Sequence, residues 1–300
     1  MIDALQPLVL DFDRSVSKPE SATRIDLQHW QESVRFGCPL KVYERFVRYL
    51  APLMPARHGT VLMGSGDYHH VSRFLIERIR TDRPFDVIVL DNHPDNMRFP
   101  FGIHCGSWVR GVALLPQVRH VHVVGICSSD IGARSAWSNY WLPLLRGRLT
   151  YWCLGVDVGW ARRAGLGNAF RRYDEPDALL REFMDERDAV PVYLSIDKDV
   201  FAEDVVRTNW DQGRLAAGHA LAVIESLAGR LIGSDITGEV SVWRYRTWWK
   251  RWLSALDDQP DIAPDRLAQW QEPQQQLNLR LLDALAQATH KTLAAQMERL

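Results

Sequence analysis

Leu90-Asp91-Asn92-His93-Pro94-Asp95-Asn96 closes the apolar run Phe85-Asp86-Val87-Ile88-Val89-Leu90. A run this apolar reads as a strand of a parallel sheet covered on both faces. The strand therefore ends in Asp-x-His-x-Asp. Side chains alternate along an extended chain, so Asp91, His93 and Asp95 are expected on one side. The carboxyl edge of an open α/β sheet is where ligands bind. Two carboxylates and an imidazole this close repel one another or compete for protons unless a cation sits among them. The stretch reads as part of a metal site.

A second run, Pro191-Val192-Tyr193-Leu194-Ser195-Ile196, ends in Asp197-Lys198-Asp199. One Asp-x-Asp is an ordinary cap or turn. Two strands that both deliver carboxylates at their carboxyl ends point to a shared ion site. A third segment, Val61-Leu62-Met63-Gly64-Ser65-Gly66-Asp67-Tyr68-His69-His70, runs from a strand through glycines into a histidine pair. Glycine lets the backbone turn sharply beside a site. His69 is the expected nitrogen ligand and His70 the alternative.

These segments sit in a pattern of alternating strands and helices. Strands are expected at Leu8–Phe12, Thr60–Met63, Phe85–Leu90, His120–Ile126, Thr150–Leu154, Val190–Ser195 and Arg230–Asp235. Helical stretches are expected at Val71–Arg80, Pro176–Glu186 and Arg214–Leu227. The alternation predicts an α/β fold, a three-layer αβα sandwich with a mostly parallel sheet. With 300 residues, 46% of them hydrophobic, the chain suits a single domain over 1–300. The metal-site motifs span 60–240, and a helical C-terminal extension occupies 241–300. In the tail Asp265–Leu300, Leu277, Leu281, Leu282 and Leu285 share a helix face suited to packing or to contact between subunits.

A formal net charge of −1 gives no general argument for nucleic acid or an acidic membrane as partner. No apolar run reaches the length of a membrane span. The N-terminus, with Asp3 and Asp11, lacks the basic start and apolar core of a secretory signal. Cys38, Cys105, Cys127 and Cys153 are dispersed and read as reduced thiols of a cytoplasmic protein. Twelve tryptophans are many for this length, and the run Trp243-Arg244-Tyr245-Arg246-Thr247-Trp248-Trp249-Lys250-Arg251-Trp252 is basic and aromatic. Trp248 and Trp252, one helical turn apart, are expected to face the core, with the basic side chains solvated.

Taken together, Gly66-Asp67-Tyr68-His69-His70, Asp91-Asn92-His93-Pro94-Asp95 and Ser195-Ile196-Asp197-Lys198-Asp199 resemble, in order and spacing, the metal-binding motifs of the arginase/agmatinase (ureohydrolase) superfamily. The likeness covers roughly residues 60–240. It implies two Mn²⁺ per chain. One would be held by His69, Asp91, Asp95 and Asp197, the other by His93, Asp91, Asp197 and Asp199, with Asp91 and Asp197 bridging. A mostly carboxylate donor set with two imidazoles suits manganese better than a structural zinc site does. Two such ions lower the pKa of a shared water, which Asp95 would orient.

The resemblance also implies roles for residues outside the ligand set. His104, in Phe99-Pro100-Phe101-Gly102-Ile103-His104, matches a histidine that moves protons. Glu239, in Asp235-Ile236-Thr237-Gly238-Glu239-Val240, matches with one inserted residue a glutamate that pairs with substrate guanidinium. Asp130, after Val124-Gly125-Ile126-Cys127-Ser128-Ser129, matches a substrate-amine ligand. The implied activity is manganese-dependent hydrolysis of a C–N bond in a small or peptide-borne guanidino or amidino compound. The implied assembly is a homo-oligomer, without nucleic acid or membrane. The chain departs from the family at Asp67 and His70. It departs again at Val200-Phe201-Ala202-Glu203 and Thr208-Asn209-Trp210-Asp211-Gln212-Gly213, where the family has a loop that shapes the pocket. Two alternatives follow. One is a deacetylase-type amide hydrolase with one metal; the other is a metal-stabilised binding protein without turnover.

Overall fold

The computed structural model describes residues 5–17, 22–186, 188–256 and 262–297. Eleven strands form in the order β1 (Leu8–Asp11), β2 (Thr23–Asp26), β3 (Gly37–Cys38), β4 (Val61–Leu62), β5 (Phe85–Leu90), β6 (Ile103–His104), β7 (Val118–Ile126), β8 (Leu149–Leu154), β9 (Phe170–Tyr173), β10 (Val192–Asp197) and β11 (Leu231–Thr237). Nine of them build one sheet in the order β2-β1-β4-β11-β10-β5-β7-β8-β9. Every pairing in it is parallel. β3 and β6 pair antiparallel in a separate two-stranded piece.

The pleat explains why these strands are apolar throughout. In β5, Val87 and Val89 join one buried cluster and Ile88 and Leu90 join the other. The first layer contains the helices Leu40–Leu50, Ser72–Glu77 and Val109–Ala113. The second contains Pro176–Asp185, Ala217–Ser226 and Pro264–Met297. Each fully buried branched or aromatic side chain contributes about 1.5–3 kcal/mol, so a sheet covered on both faces selects such residues.

All seven expected strands form. Four strands are passed over by sequence reading: β3 and β6 of the small separate pair, and β2 (Thr-Arg-Ile-Asp) and β9 (Phe-Arg-Arg-Tyr), the edges of the large sheet. Edge strands are half solvated and tolerate charge, so they lack an apolar run. The tail helix buries Leu277, Leu281, Leu282 and Leu285 in the second layer. Residues 298–300 of the expected tail lie outside the described residues.

The tryptophan-rich segment turns the other way from expectation. Trp248 and Trp252 are 71% and 60% exposed. Trp243, Trp249 and Leu253 instead pack on Phe36, Cys105 and Tyr245. The reason is polar. The buried Lys250 ammonium donates to the carbonyls of Glu32 (2.7 Å), Ser33 (3.1 Å) and Arg35 (2.8 Å). These carbonyls close the short helix Gln31–Val34, and a helix end leaves its last carbonyls without partners. Satisfying them draws Lys250 inward and rotates Trp248 and Trp252 to the surface.

Candidate metal centre

β5 and β10 are neighbours in mid-sheet, and their carboxyl ends present Asp91 and Asp197 side by side. Beyond Leu90 the chain leaves the extended conformation. The His93 amide donates to Asp91 Oδ1 at 2.7 Å, which makes a tight turn. Asp95 takes a positive φ of 45°. A non-glycine residue there stores about 1–3 kcal/mol, which its surroundings must offset. Trp108 Nε1 donates to Asp95 Oδ2 at 2.5 Å, and the Val109 amide donates to its carbonyl at 2.9 Å. Convergence of the motif thus comes from a turn rather than from strand alternation. The turn sends His93 and Asp95 to different partners.

Two overlapping groups result. His69, Asp91 and Asp95 form one; Asp91, His93 and Asp199 form the other. His69 Nδ1 lies 2.9 Å from Asp95 Oδ2, 3.2 Å from Asp91 Oδ2 and 3.3 Å from Asp197 Oδ2. His93 Nδ1 lies 2.9 Å from Asp199 Oδ2 and 3.7 Å from Asp91 Oδ1. Asp91 is common to both. Asp197 belongs beside His69 and also accepts the Asp199 amide at 3.2 Å, which shapes the Lys198–Val200 turn.

Each histidine turns Nδ1 to the carboxylates and is held from behind through Nε2. His69 Nε2 meets Ser195 Oγ at 2.9 Å, and Ser195 donates onward to Asp235 Oδ1 at 2.7 Å. Tyr193 and Ser72 also donate to Asp235, at 2.7 and 3.0 Å. His93 Nε2 meets Asp211 Oδ1 at 2.7 Å. Such acceptors fix the tautomer that leaves Nδ1 free to ligate a metal. Ser195 and Asp235 lie inside the quoted motifs without having been given this role. Asp211 lies in the loop that departs from the family pattern, where no periodicity marks it.

The donor set fits divalent cations. Among the described residues, Asp91 Oδ2 is a buried carboxylate oxygen that accepts no hydrogen bond. Its nearest partner is the His69 imidazole at 3.2 Å, and an ion between the two groups would satisfy it in full. The titration pattern agrees. Burial and then repulsion from Asp91 push Asp95 up to about 6 and Asp199 up to about 7. Burial and then Asp199 hold Asp197 well above its usual range. Asp91 is down at about 2, because His69 and His93 outweigh its burial. Burial opposes charge on His69 and His93, yet the surrounding carboxylates outweigh it and hold both imidazoles well above their usual range.

This pattern has a sign. Raised carboxylates and raised imidazoles keep protons in the folded chain that the unfolded chain has already released. Their contribution to stability is therefore lost as pH rises from about 4 through about 7 and beyond. Asp91 acts oppositely, but only below about 4. His70, His104 and His120, held below their usual range, act oppositely up to about pH 6.5, so the Tm of protein stripped with a chelator is expected to fall from about pH 6.5 to about pH 8. Added Mn²⁺ should raise it more at the upper end, because ligands must be deprotonated to bind. A stripped protein whose Tm climbs over that interval would contradict this account.

The remaining candidates are placed as follows. His70 is fully buried, and neither ring nitrogen has a hydrogen-bond partner among the described residues. Burial first, then the neighbouring His104, Lys250 and His69, push it well below its usual range. His69, not His70, faces the carboxylates. The Arg35 Nε–Asp67 Oδ2 pair (2.6 Å) pins the turn that carries His69, which accounts for the departure at Asp67. At Gly66 a Cβ would stand 3.1 Å from Asp197 Oδ2 and 3.2 Å from Trp210 Cδ1, so any larger residue would press on the centre. His104 stacks on Phe36 and meets Phe99 edge-on, and its Nδ1 accepts the Gly106 amide at 2.9 Å. Burial lowers it to about 4, so it is neutral at physiological pH, with Nε2 carrying the proton. Asp130 lies within the short turn Ser129–Ile131 after β7, which Ser128 caps: the Asp130 amide donates to Ser128 Oγ, and its carbonyl accepts from Asn139.

Glu239 differs from expectation. Its Oε1 lies 2.6 Å from the Lys198 ammonium and accepts from Asn278 Nδ2 at 2.6 Å. Asn278 Oδ1 in turn accepts from Lys198 at 3.2 Å. Lys198 is 0% and Glu239 2% exposed at the side chain. The carboxylate is directed to the tail helix and neutralised there. The preceding residue, Gly238, has φ +92° and lies so close to Asp197 Oδ1 that a Cβ would stand 2.4 Å away. Asn278 and Lys198 then take up Glu239 behind the strand end.

Comparison with known proteins places this arrangement. No family model matches the sequence. A protein of Thermotoga maritima, described as uncharacterized, is 28% identical over 188 residues. The match spans 62% of this chain and 60% of that protein's length. Among solved structures, agmatine ureohydrolase of Thermoplasma volcanium superposes with a TM-score of 0.54 at 13% identity, over 97% of this chain and 92% of its own. Proclavaminate amidino hydrolase of Streptomyces clavuligerus gives 0.52 at 15%, over 95% and 93%. A Trypanosoma cruzi formiminoglutamase variant described with two Mn²⁺ gives 0.52 at 13%, over 96% and 94%. The chain has the arginase/agmatinase fold. Within that fold, the centre lies at the carboxyl edge of β5 and β10. No helix among the described residues is long and apolar enough to cross a membrane.

Proposed function

We propose that this chain is a divergent ureohydrolase-like enzyme, a hydrolase of non-peptide C–N bonds that uses two Mn²⁺. The observation that carries the reading is the pair of overlapping His–Asp groups that share Asp91, with the unsatisfied Asp91 Oδ2 between them. His69, Asp91, Asp95 and Asp197 would hold one ion, and His93, Asp91, Asp197 and Asp199 the other. Ions held there supply an activated water and polarise the bond under attack. Asp95, fixed by Trp108, is the residue assigned to orient that water and receive its proton. His104, neutral at physiological pH, is assigned to steady the leaving group by a hydrogen bond from Nε2–H, while the proton that Asp95 receives from the water is the one passed to the leaving group. Asp130 remains the candidate for a substrate amine.

The Lys198–Glu239 pair favours one refinement. A carboxylate already balanced by a buried ammonium has no charge left for a guanidinium. A neutral amide, which carries no fixed positive charge at that position, suits the site better than a guanidinium or an amidinium. This also keeps the deacetylase-type reading in play as regards substrate, while two ion groups count against its single metal.

The test is metal content by plasma mass spectrometry on protein purified with manganese, together with urea and ammonia release over guanidines, formimino compounds and neutral amides. About two Mn²⁺ per chain and turnover on an uncharged panel member are expected. A single zinc with full activity would favour the deacetylase type, and bound metal without turnover would leave a binding protein.

A further inference from the structure

The two imidazoles are braced by different parts of the molecule. The acceptor behind His69 is Ser195, on β10 inside the sheet, backed by Asp235 on β11. Ser195 and Asp235 are both 0% exposed. The acceptor behind His93 is Asp211, whose side chain is 65% exposed. Asp211 belongs to the surface loop Thr208–Gly213. Five further contacts lay this loop over the centre. Asn92 Nδ2 donates to the Asp211 carbonyl at 2.9 Å and to its Oδ2 at 3.1 Å. The Gly213 amide donates to the Asp199 carbonyl at 2.6 Å. Trp210 meets His93 edge-on and stacks on Phe36. Asn92 is itself part of the ligand turn, for its amide donates to Asp199 Oδ1 at 3.1 Å.

We infer that the two ion positions are unequally preorganised: the His69 position is set permanently by the sheet, whereas the His93 position is completed by Asp211 and so depends on the Thr208–Gly213 loop being seated. This rests on the two-ion reading above. Asp211 is a positioning residue. It touches no ion and acts by holding the His93 ring and the protonated state of Nε2. The physical reason is that a ligand imidazole without an acceptor behind it is free to rotate and to change tautomer. Loss of such a partner weakens metal binding by about 10–100-fold. Ser195 cannot move without disturbing β10. Asp211 instead reaches His93 from the exposed point of a loop outside the sheet, so the seating of that loop sets the occupancy of one ion. Filling of the centre is then sequential, with the His69 position loaded first.

The experiment titrates Mn²⁺ into chelator-stripped protein by calorimetry and follows the magnetic coupling of paired ions by electron paramagnetic resonance. Wild type, Asp211→Ala, Asp211→Asn and Ser195→Ala are compared, with circular dichroism as a check on folding. Wild type is expected to bind two ions in two resolved steps. Asp211→Ala should weaken the second step about 10–100-fold and leave the first unchanged. At two equivalents its spectrum should show mostly uncoupled Mn²⁺. Asp211→Asn, which keeps an acceptor oxygen, should fall between the two. Ser195→Ala should weaken the first step instead. A binding curve and coupled signal in both Asp211 variants equal to wild type would overturn the inference while leaving the two-ion reading intact. Equal weakening of both steps would overturn it as well. Wild type that takes up no manganese would remove the two-ion reading and this inference together.

Discussion

Asp91→Ala is expected to release both ions and to lower turnover by about 10³-fold or more, because metal polarisation worth several kcal/mol is lost at once. Asp91 is the one residue common to the two groups, with Oδ2 toward His69 and Oδ1 toward His93. The fold should survive. Asp91 is buried at the sheet edge among groups that repel it as well as attract it, and its removal relieves the charge that raises Asp95 and Asp199. Metal analysis of the folded variant decides the matter. Retention of two ions would show that the centre is not organised around Asp91. By contrast, Asp199→Ala should empty mainly the His93 position, since Asp199 enters only that group.

The second large effect concerns stability rather than catalysis. Lys198→Met leaves the Glu239 carboxylate buried with only Asn278 beside it. Breaking a buried pair from one side costs about 3–5 kcal/mol, which for a chain of this size lowers Tm by about 5–10 °C. The double variant Lys198→Met/Glu239→Gln removes both charges and keeps the Asn278 hydrogen bond, so it should recover most of that loss. Thermal and urea denaturation of the three proteins closes the cycle. If the single variant is as stable as wild type, the pair is not the closed unit seen here, and Glu239 is again available to a substrate cation. This reverses the role that the family resemblance implied for Glu239, where its loss would impair turnover on guanidines alone.

The places where sequence and structure part company share one cause. Asp91, His93, Asp95, Asp197 and Asp199 were legible because a parallel strand advertises itself by an unbroken apolar run, and its carboxyl end follows directly from its length. The sheet's interior strands were legible for the same reason, and its edges were not, because β2 and β9 need bury only part of their surface. The orientation of the Trp248–Leu256 helix was misread because aromatic spacing alone suggests which side is apolar. What turned the helix was one ammonium meeting three carbonyls from a segment more than two hundred residues earlier in the chain.

By itself, then, the sequence determined the α/β class, the carboxylate-rich character of the centre and the five aspartate and histidine positions at the ends of β5 and β10, since all of these are local properties of strand and turn. Tertiary structure alone decided that Glu239 is held by Lys198 and Asn278, and that Asp211 stands behind His93. Each of those outcomes depends on which two distant segments come within hydrogen-bonding distance. Burial makes that choice strict, because a charge taken from water must find its partner inside the fold.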